Sequence, residues 1–272
     1  MEKLILIVED NKTIALFQSH KLKGKGFKCL VAHNFLETRK LYDLHKDSIV
    51  MAVVDINLPD CGTCALDYLI TKNIPSIAMT GSFHIELRDK ILKKAVIDYI
   101  VVDNDPNLES LVSLVGRILH NHHTKVLIVD DSKTSRLKLR EFLEYQNFTI
   151  LEAVDADEAL KLIRKNNDIK IAFIDYEMPK MNGVELAKKI RKKFSRMEMA
   201  IFAISVHTNP LITVEFLKAG ANDFITKPYV REEVNARVAV NLDMISLYKE
   251  AKHEKEERIS IQKRLKDLTS NS

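Results

Sequence analysis

Residues 4–10, Leu4-Ile-Leu-Ile-Val-Glu-Asp10, return as Val126-Leu-Ile-Val-Asp-Asp131, in each case an apolar run closed by two acids. Asp10 to Asp131 is a shift of 121 residues. Other landmarks keep nearly the same offset: Val53-Val-Asp55 matches Phe173-Ile-Asp175 at 120, while Ala78-Met-Thr80 matches Ala203-Ile-Ser205 and Asp98-Tyr99 matches Asp223-Phe224 at 125. A period near 120 residues is one whole domain, well above the ~20–50 residues of a solenoid unit. The chain therefore reads as one domain written twice.

Within each copy, short β-branched runs alternate with segments of helical period, the pattern of parallel strands joined by crossover helices. Strands are expected near residues 3–8, 27–32, 50–55, 75–80 and 97–101, and again near 125–130, 148–153, 170–175, 200–204 and 223–226. Asn34-Phe-Leu-Glu37 and Asp155-Ala-Asp-Glu158 have the spacing of capping boxes and open helices. The runs are apolar throughout, as when helices cover both faces of a parallel sheet. The fold class is thus α/β, two tandem doubly wound (βα)5 parallel sheets. Domain boundaries follow: residues 1–120, a linker at 121–124, residues 125–241, and a C-terminal helix over 242–272. His120-Asn-His-His-Thr124 reads as a solvated linker, since no acid or cysteine stands near to complete a metal site.

The 272 residues suit two ordinary domains, and 46% hydrophobic content with 7 Gly and 6 Pro excludes a disordered or collagen-like chain. A net charge of +4, from 42 basic and 38 acidic residues, is too even for the footprint of nucleic-acid binding. The basic run Lys188 to Arg196 reads as the solvated end of a helix and its loop. The N-terminal apolar run ends at Glu9 and Asp10 after five residues, too short for a secretory signal or a membrane span. These features, with 3 cysteines, predict a cytoplasmic chain that contacts neither membrane nor nucleic acid.

In an open parallel sheet, ligands bind at the carboxyl ends of the strands. The repeated polar residues all fall there: Asp130 and Asp131 end the first strand of the second copy, Asp175 the third, Ser205 the fourth, and Lys227 follows the fifth. Three converging carboxylates repel one another, which implies a cation, and hard oxygen donors favour Mg²⁺. With an ammonium and a hydroxyl added, the site suits a tetrahedral dianion on or near a carboxylate, which is phosphoryl chemistry.

These residues resemble the receiver domain of bacterial two-component response regulators, over nearly all of residues 1–240. The second copy carries Asp130-Asp131, Asp175 followed by Met178-Pro179 and Gly183, then Ser205 and the run Ala219-Gly-Ala-Asn-Asp-Phe-Ile-Thr-Lys-Pro228. The resemblance implies that Asp175 is the phosphoacceptor and that Asp131, Asp175 and the backbone carbonyl of Glu177 bind Mg²⁺, Asp130 acting through water. It implies that Ser205 and Lys227 grip the phosphoryl oxygens and that Phe224 changes rotamer on activation. It also implies a sensor histidine kinase or phosphotransfer protein as partner. With no helix-turn-helix, GxGxxG or P-loop pattern the chain as given reads as no enzyme, and an apolar stripe on its terminal helix predicts a homodimer.

The first copy departs from this pattern. Glu9, Asp10, Asp55 and Thr80 are in place and Tyr99 aligns with Phe224, but Val102-Asp103 stands where Lys227-Pro228 does. Weaker Mg²⁺ binding at Glu9, Asp10 and Asp55 is expected, in a degenerate or regulatory receiver. Asp55 to Thr80 spans 25 residues against 30 for Asp175 to Ser205, so the third helix or the loop after it is shortened. Cys61-Gly-Thr-Cys64 also lies there, at the start of a helix, where the dipole lowers a thiol pKa; a redox-responsive module is the alternative it offers to two ordinary thiols.

After Lys227-Pro228 a helix starts near Arg231 and runs without Gly or Pro to about Leu268. Met244, Leu247, Ala251, Ile261, Leu265 and Leu268 share one 3-4 stripe, with Glu254 and Arg258 between them, an imperfect coiled-coil seam; the competing reading packs this charged helix back on its own domain. The segment from Val234 to Lys252 resembles regulators that continue into a diguanylate cyclase domain, and the chain reads as the regulatory part of such a protein or as a stand-alone adaptor or phosphate sink. A haloacid dehalogenase phosphatase needs a second acid two residues after its nucleophile; Asn57 fails this after Asp55, and the duplicated pattern argues against it at Asp175 despite Glu177.

Overall fold

A computed structural model describes all residues except 1–2, 82–84, 103–107, 208 and 271–272, and gives only the backbone of Ile85, Leu87, Leu92 and residues 261–270. Asp103 thus lies outside the described residues, as do the side chains of Ile261, Leu265 and Leu268. The first unit contains β1 (Leu4–Val8), α1 (Lys12–Lys23), β2 (Lys28–Ala32), α2 (Phe35–His45), β3 (Ile49–Asp55), α3 (Cys64–Thr71), β4 (Ser76–Thr80), α4 (Ile85–Leu92), β5 (Asp98–Val101) and α5 (Glu109–Asn121). The second repeats it with β6 (Lys125–Val129), α6 (Lys133–Tyr145), β7 (Thr149–Ala153), α7 (Ala156–Lys165), β8 (Ile169–Asp175), α8 (Gly183–Arg191), β9 (Ala200–Ser205), α9 (Pro210–Lys218), β10 (Asp223–Thr226) and α10 (Arg231–Ser270). The units divide between His120 and Asn121.

Each unit holds one parallel five-stranded sheet, ordered β2-β1-β3-β4-β5 in the first and β7-β6-β8-β9-β10 in the second. This is the expected tandem doubly wound fold. The apolar runs are explained by alternation: Leu127 and Val129 feed one core layer of unit 2 while Val126 and Ile128 feed the layer on the opposite face of the sheet. β1 and β3 of unit 1 divide in the same way. The outer strands β2 and β7 depart from the expectation of continuous burial because only one strand neighbours each, and Glu152 of β7 pairs with Arg140 of α6 at 2.7 Å.

Asn34 and Asp155 do open helices. Each accepts the backbone N–H three residues on, from Glu37 at 2.9 Å and Glu158 at 2.8 Å. The two glutamates close the box one residue early, on the N–H of His33 and Val154. The shortening in unit 1 lies chiefly in the loop after α3, residues 72–75 against 192–199 after α8. Two readings need correction. Asn121 belongs to α5 and is buried, its amide donating to the Gln146 carbonyl at 2.8 Å, so the linker is not solvated from its start. Within the basic run Arg191 is drawn inward, donating to the Gly220 carbonyl and to Asn222 Oδ1 at 2.8 Å each; burial pushes its pKa down to about 10. Among the described residues no helix is long and apolar enough to cross a membrane.

Candidate functional site

Parallel strands in register end together, and this is what gathers the site. In unit 2, Val129 pairs with Ile174, Asp175 with Ile204, and Ser205 with Thr226, so the residues that end β6, β8, β9 and β10 meet along one edge. Asp130, Asp175 and Ser205 are buried, and Asp131 is exposed. Lys227 Nζ donates to Asp130 Oδ2 and to Asp175 Oδ1, both at 2.6 Å, with Ser135 Oγ at 3.4 Å. The other carboxylate oxygens are held by the backbone: Ser132 N–H reaches Asp130 Oδ1 at 2.8 Å, and Glu177 N–H reaches Asp175 Oδ2 at 3.0 Å. Oxygens of Asp130, Asp131 and Asp175 lie within 4.8 Å of one another.

The charges are balanced rather than comfortable. Burial, and the nearby Asp130, raise the Asp175 pKa above the ordinary carboxylate value, while Lys227 pulls it the other way. Burial works against the Lys227 ammonium, but its hydrogen bonds to Asp130 and Asp175 outweigh this and raise its pKa. Gly183 fits the chain closely behind the site: a Cβ there would stand 2.2 Å from the Asp175 carbonyl oxygen and 2.7 Å from Phe216 Cζ. Phe224 is half-buried, its ring 6.2 Å from that of Phe216.

Unit 1 brings Glu9, Asp10 and Asp55 within the same 4.8 Å. Thr80 is buried at the end of β4, and Asn57 Nδ2 reaches its Oγ1 at 3.5 Å. Tyr99 is half-buried against the core layer that contains Val54 and Ala78. Val102 packs against the other layer, the one that contains Ile7 and Met79, and supplies no charge to the acids. Glu9 is only 4% exposed, and its pKa is pushed up to about 7 by burial, with the carboxylates of Asp55 and Asp10 adding to it against hydrogen bonds from Asn11 and Gln18.

Four contributors were not visible in the sequence pattern. Gln18 of α1 is 1% exposed and donates to Glu9 Oε2 at 3.3 Å, a neutral substitute for the contact that Lys227 makes with Asp130. Its Oε1 has no hydrogen-bond partner. Copy comparison carries the signal: at the same shift of 121 unit 2 has the buried Leu139. Ser135 and Arg136 enter from α6, Arg136 donating to the carbonyls of Asp130 and Asp131. His207 Nε2 lies 2.8 Å from Glu177 Oε1, joining the segment after β9 to the one after β8.

Comparison with known proteins bears on this geometry. The family model for the response regulator receiver domain matches residues 126–239. The chain is 35% identical over 115 residues to a chemotaxis protein CheY homolog of Campylobacter jejuni, covering 42% of this chain and 88% of that protein. It is 34% identical over 119 residues to chemotaxis protein CheY1 of Helicobacter pylori, covering 43% and 96%. A crystal structure described as a two-component system response regulator/GGDEF domain protein superposes with a TM-score of 0.80 at 32% identity, covering 90% of this chain and 100% of that one. The chain belongs to the receiver-domain family of two-component response regulators.

Proposed function

We propose that residues 125–241 form a phosphorylatable receiver in which Asp175 takes a phosphoryl group from the phosphohistidine of a histidine kinase or phosphotransfer protein. In this reading residues 1–120 are a degenerate receiver with a docking or modulatory part, 121–124 join the two, and 242–272 lead to an output. The observation that carries it is the Lys227 ammonium held between Asp130 and Asp175, 2.6 Å from each. The three carboxylates offer only oxygen donors close together, which fits Mg²⁺; Asp130, Asp131, Asp175 and the Glu177 carbonyl would hold it. The ion, when bound, offsets negative charge on the group in transfer.

The chain's own residues supply the rest. An Asp175 carboxylate oxygen forms the new bond to phosphorus as the bond to histidine nitrogen breaks, the imidazole keeping the electron pair. Glu177 N–H already holds the other Asp175 oxygen, so the nucleophile is aimed before the partner arrives. Lys227 then has more negative charge to engage in the product than in the free carboxylate, and Ser205 offers a hydroxyl donor at the end of the adjacent strand β9. Withdrawal of Ser205 toward the phosphoryl oxygens opens space for Phe224 to turn inward, shifting a two-state equilibrium of the face formed by α9, β10 and α10. The resemblance to a response regulator/GGDEF domain protein makes a diguanylate cyclase the favoured output.

The test is incubation of the full chain with a small phosphodonor and Mg²⁺, which should add one acid-stable, base-labile phosphoryl group. Asp175→Asn should abolish it; undiminished uptake by that variant would refute the assignment. Lys227→Ala should reduce phosphorylation less than it reduces the response to beryllofluoride, because its charge-assisted contact, of roughly 1.5–3 kcal/mol, is strongest in the product.

A further inference from the structure

A covalent bond joins Cys61 to Cys64, with their Cα atoms 5.6 Å apart, across the turn that leads from Asp55 into α3. Both residues are half-buried. The corresponding turn of unit 2 is held differently. There the Asn182 side chain accepts the Glu185 N–H at 2.9 Å and caps α8. In unit 1 the residue before α3 is Thr63, whose side chain makes no cap to the helix backbone and whose hydroxyl goes to Asp67 at 3.0 Å. The sulfur bridge stands where the polar cap stands in the other copy.

That turn is also a junction. Asn57 N–H anchors its start to Asp55 Oδ1 at 2.9 Å. Asp60 Oδ2 accepts the Phe35 N–H at the head of α2, at 2.8 Å. Lys94, beyond α4, donates to Thr63 Oγ1 at 3.1 Å and pairs with Asp67. Leu58 and Gly62 form a bridge inside the turn, with Gly62 in the left-handed region at φ 61° that side chains disfavour. Contacts to α2, α3, the segment after α4 and Asp55 all pass through these eight residues between β3 and α3.

We propose that Cys61 and Cys64 are a reversible thiol–disulfide exchange site, served by a dithiol reductant, whose state sets the order of residues 56–64. Opening proceeds in two exchanges. A thiolate of the reductant attacks Cys61 Sγ, forming a mixed disulfide, and Cys64 leaves as a thiolate at the N-terminus of α3, where the helix dipole and N–H groups favour the anion. The second thiol of the reductant then attacks its own sulfur in the mixed disulfide and releases Cys61. Two electrons and two protons pass to the cysteine pair, and the reductant becomes a disulfide. The third cysteine stays out of the exchange: Cys29 is half-buried in β2 and burial pushes its thiol pKa up. In a reducing compartment disulfides are usually transient or redox-sensing, which fits a bridge that replaces a cap rather than one that ties distant segments.

This site does not depend on phosphorylation at either acid cluster, and its test uses the full chain. Alkylation under denaturing conditions should find one thiol after treatment with glutathione disulfide and three after dithiothreitol, with peptide mapping placing the change at Cys61 and Cys64 and the cycle repeatable. Reduction should speed amide exchange in residues 56–66 by about fivefold or more and leave residues 176–186 of unit 2 unchanged. The Cys61→Ser, Cys64→Ser double variant should exchange at the reduced rate under both treatments, and Cys29→Ser should cycle like the parent. Failure of the pair to re-form, or equal exchange in 56–66 in both states, would overturn the proposal.

Discussion

Lys227 holds two buried carboxylates that would otherwise repel each other, and unit 1 meets the same difficulty with Val102 at the position of Lys227. Leaving a buried charge without its partner costs ~3–5 kcal/mol, enough to force a change of protonation instead. Glu9 shows that change, with its pKa at about 7 from burial and from Asp55 and Asp10. A folded-state pKa above the ordinary 4.5 means that the fold takes up a proton. The stability this provides is present in full below pH 4.5 and is lost as the pH rises through about 7. In the absence of metal the loss should reach roughly 3 kcal/mol. Mg²⁺ should reduce it, because the ion satisfies the ionised acids. Thermal unfolding of the full chain between about pH 5 and 8, with and without Mg²⁺, reads this directly. If Glu9→Gln kept the parent's pH dependence, Glu9 would not be the group responsible.

At the scale of elements, the packing of α8 against the end of β8 carries the tightest constraint on the residues around Asp175. Gly183 opens α8 where a Cβ would overlap the Asp175 carbonyl oxygen and the Phe216 ring, so Gly183→Ala must push the helix away from the strand that carries Asp175. Overpacking of this kind costs ~1–3 kcal/mol, and backbone overlap places it at the upper end. Urea unfolding should show that loss with Asp175 phosphorylation slowed as well; a variant as stable as the parent would show that α8 can shift freely. This glycine entered the sequence reading only through the family resemblance, whereas the strands were legible from the residues themselves. Runs buried on both sheet faces stay apolar, and the acids that close them recur at a fixed offset because strands in register end together. Side chains that arrive from helices were not. Ser135, Arg136 and Gln18 reach the acids through helix–sheet packing, which leaves no period in the sequence, and only the exchange of Leu139 for Gln18 between copies marks one of them. His207 and Glu177 likewise meet across 30 positions of chain.

In the whole molecule, α10 is the element that leads out of unit 2, so under the proposed function a change at Asp175 should travel along it. Its first turns belong to unit 2, where Val234, Val238 and Ile245 enter the core layer beside β8 and β9. Past Ile245 every described side chain is exposed, which disagrees with a helix packed back along its whole length. The expected stripe begins among these residues: Met244 is 46% exposed and Leu247 64%, and Val240, one step earlier in the same register, is 59% exposed. One face of the helix is thus committed to the receiver core while the other presents apolar side chains with Glu254 and Arg258 in line. Two such faces pair only weakly, since charged seam positions cost stability, and a weak seam is sensitive to a bias of a few kcal/mol from the attached domains. Beryllofluoride with Mg²⁺ should therefore raise the molar mass of the full chain toward a dimer in light scattering, at concentrations where the untreated chain is smaller. Met244→Glu with Leu247→Glu should abolish the increase and leave phosphorylation of Asp175 intact, because both side chains point away from the unit 2 core. A mass and hydrodynamic radius unchanged by beryllofluoride would remove the seam from signalling, and an increase that survived the double substitution would move the interface to another surface.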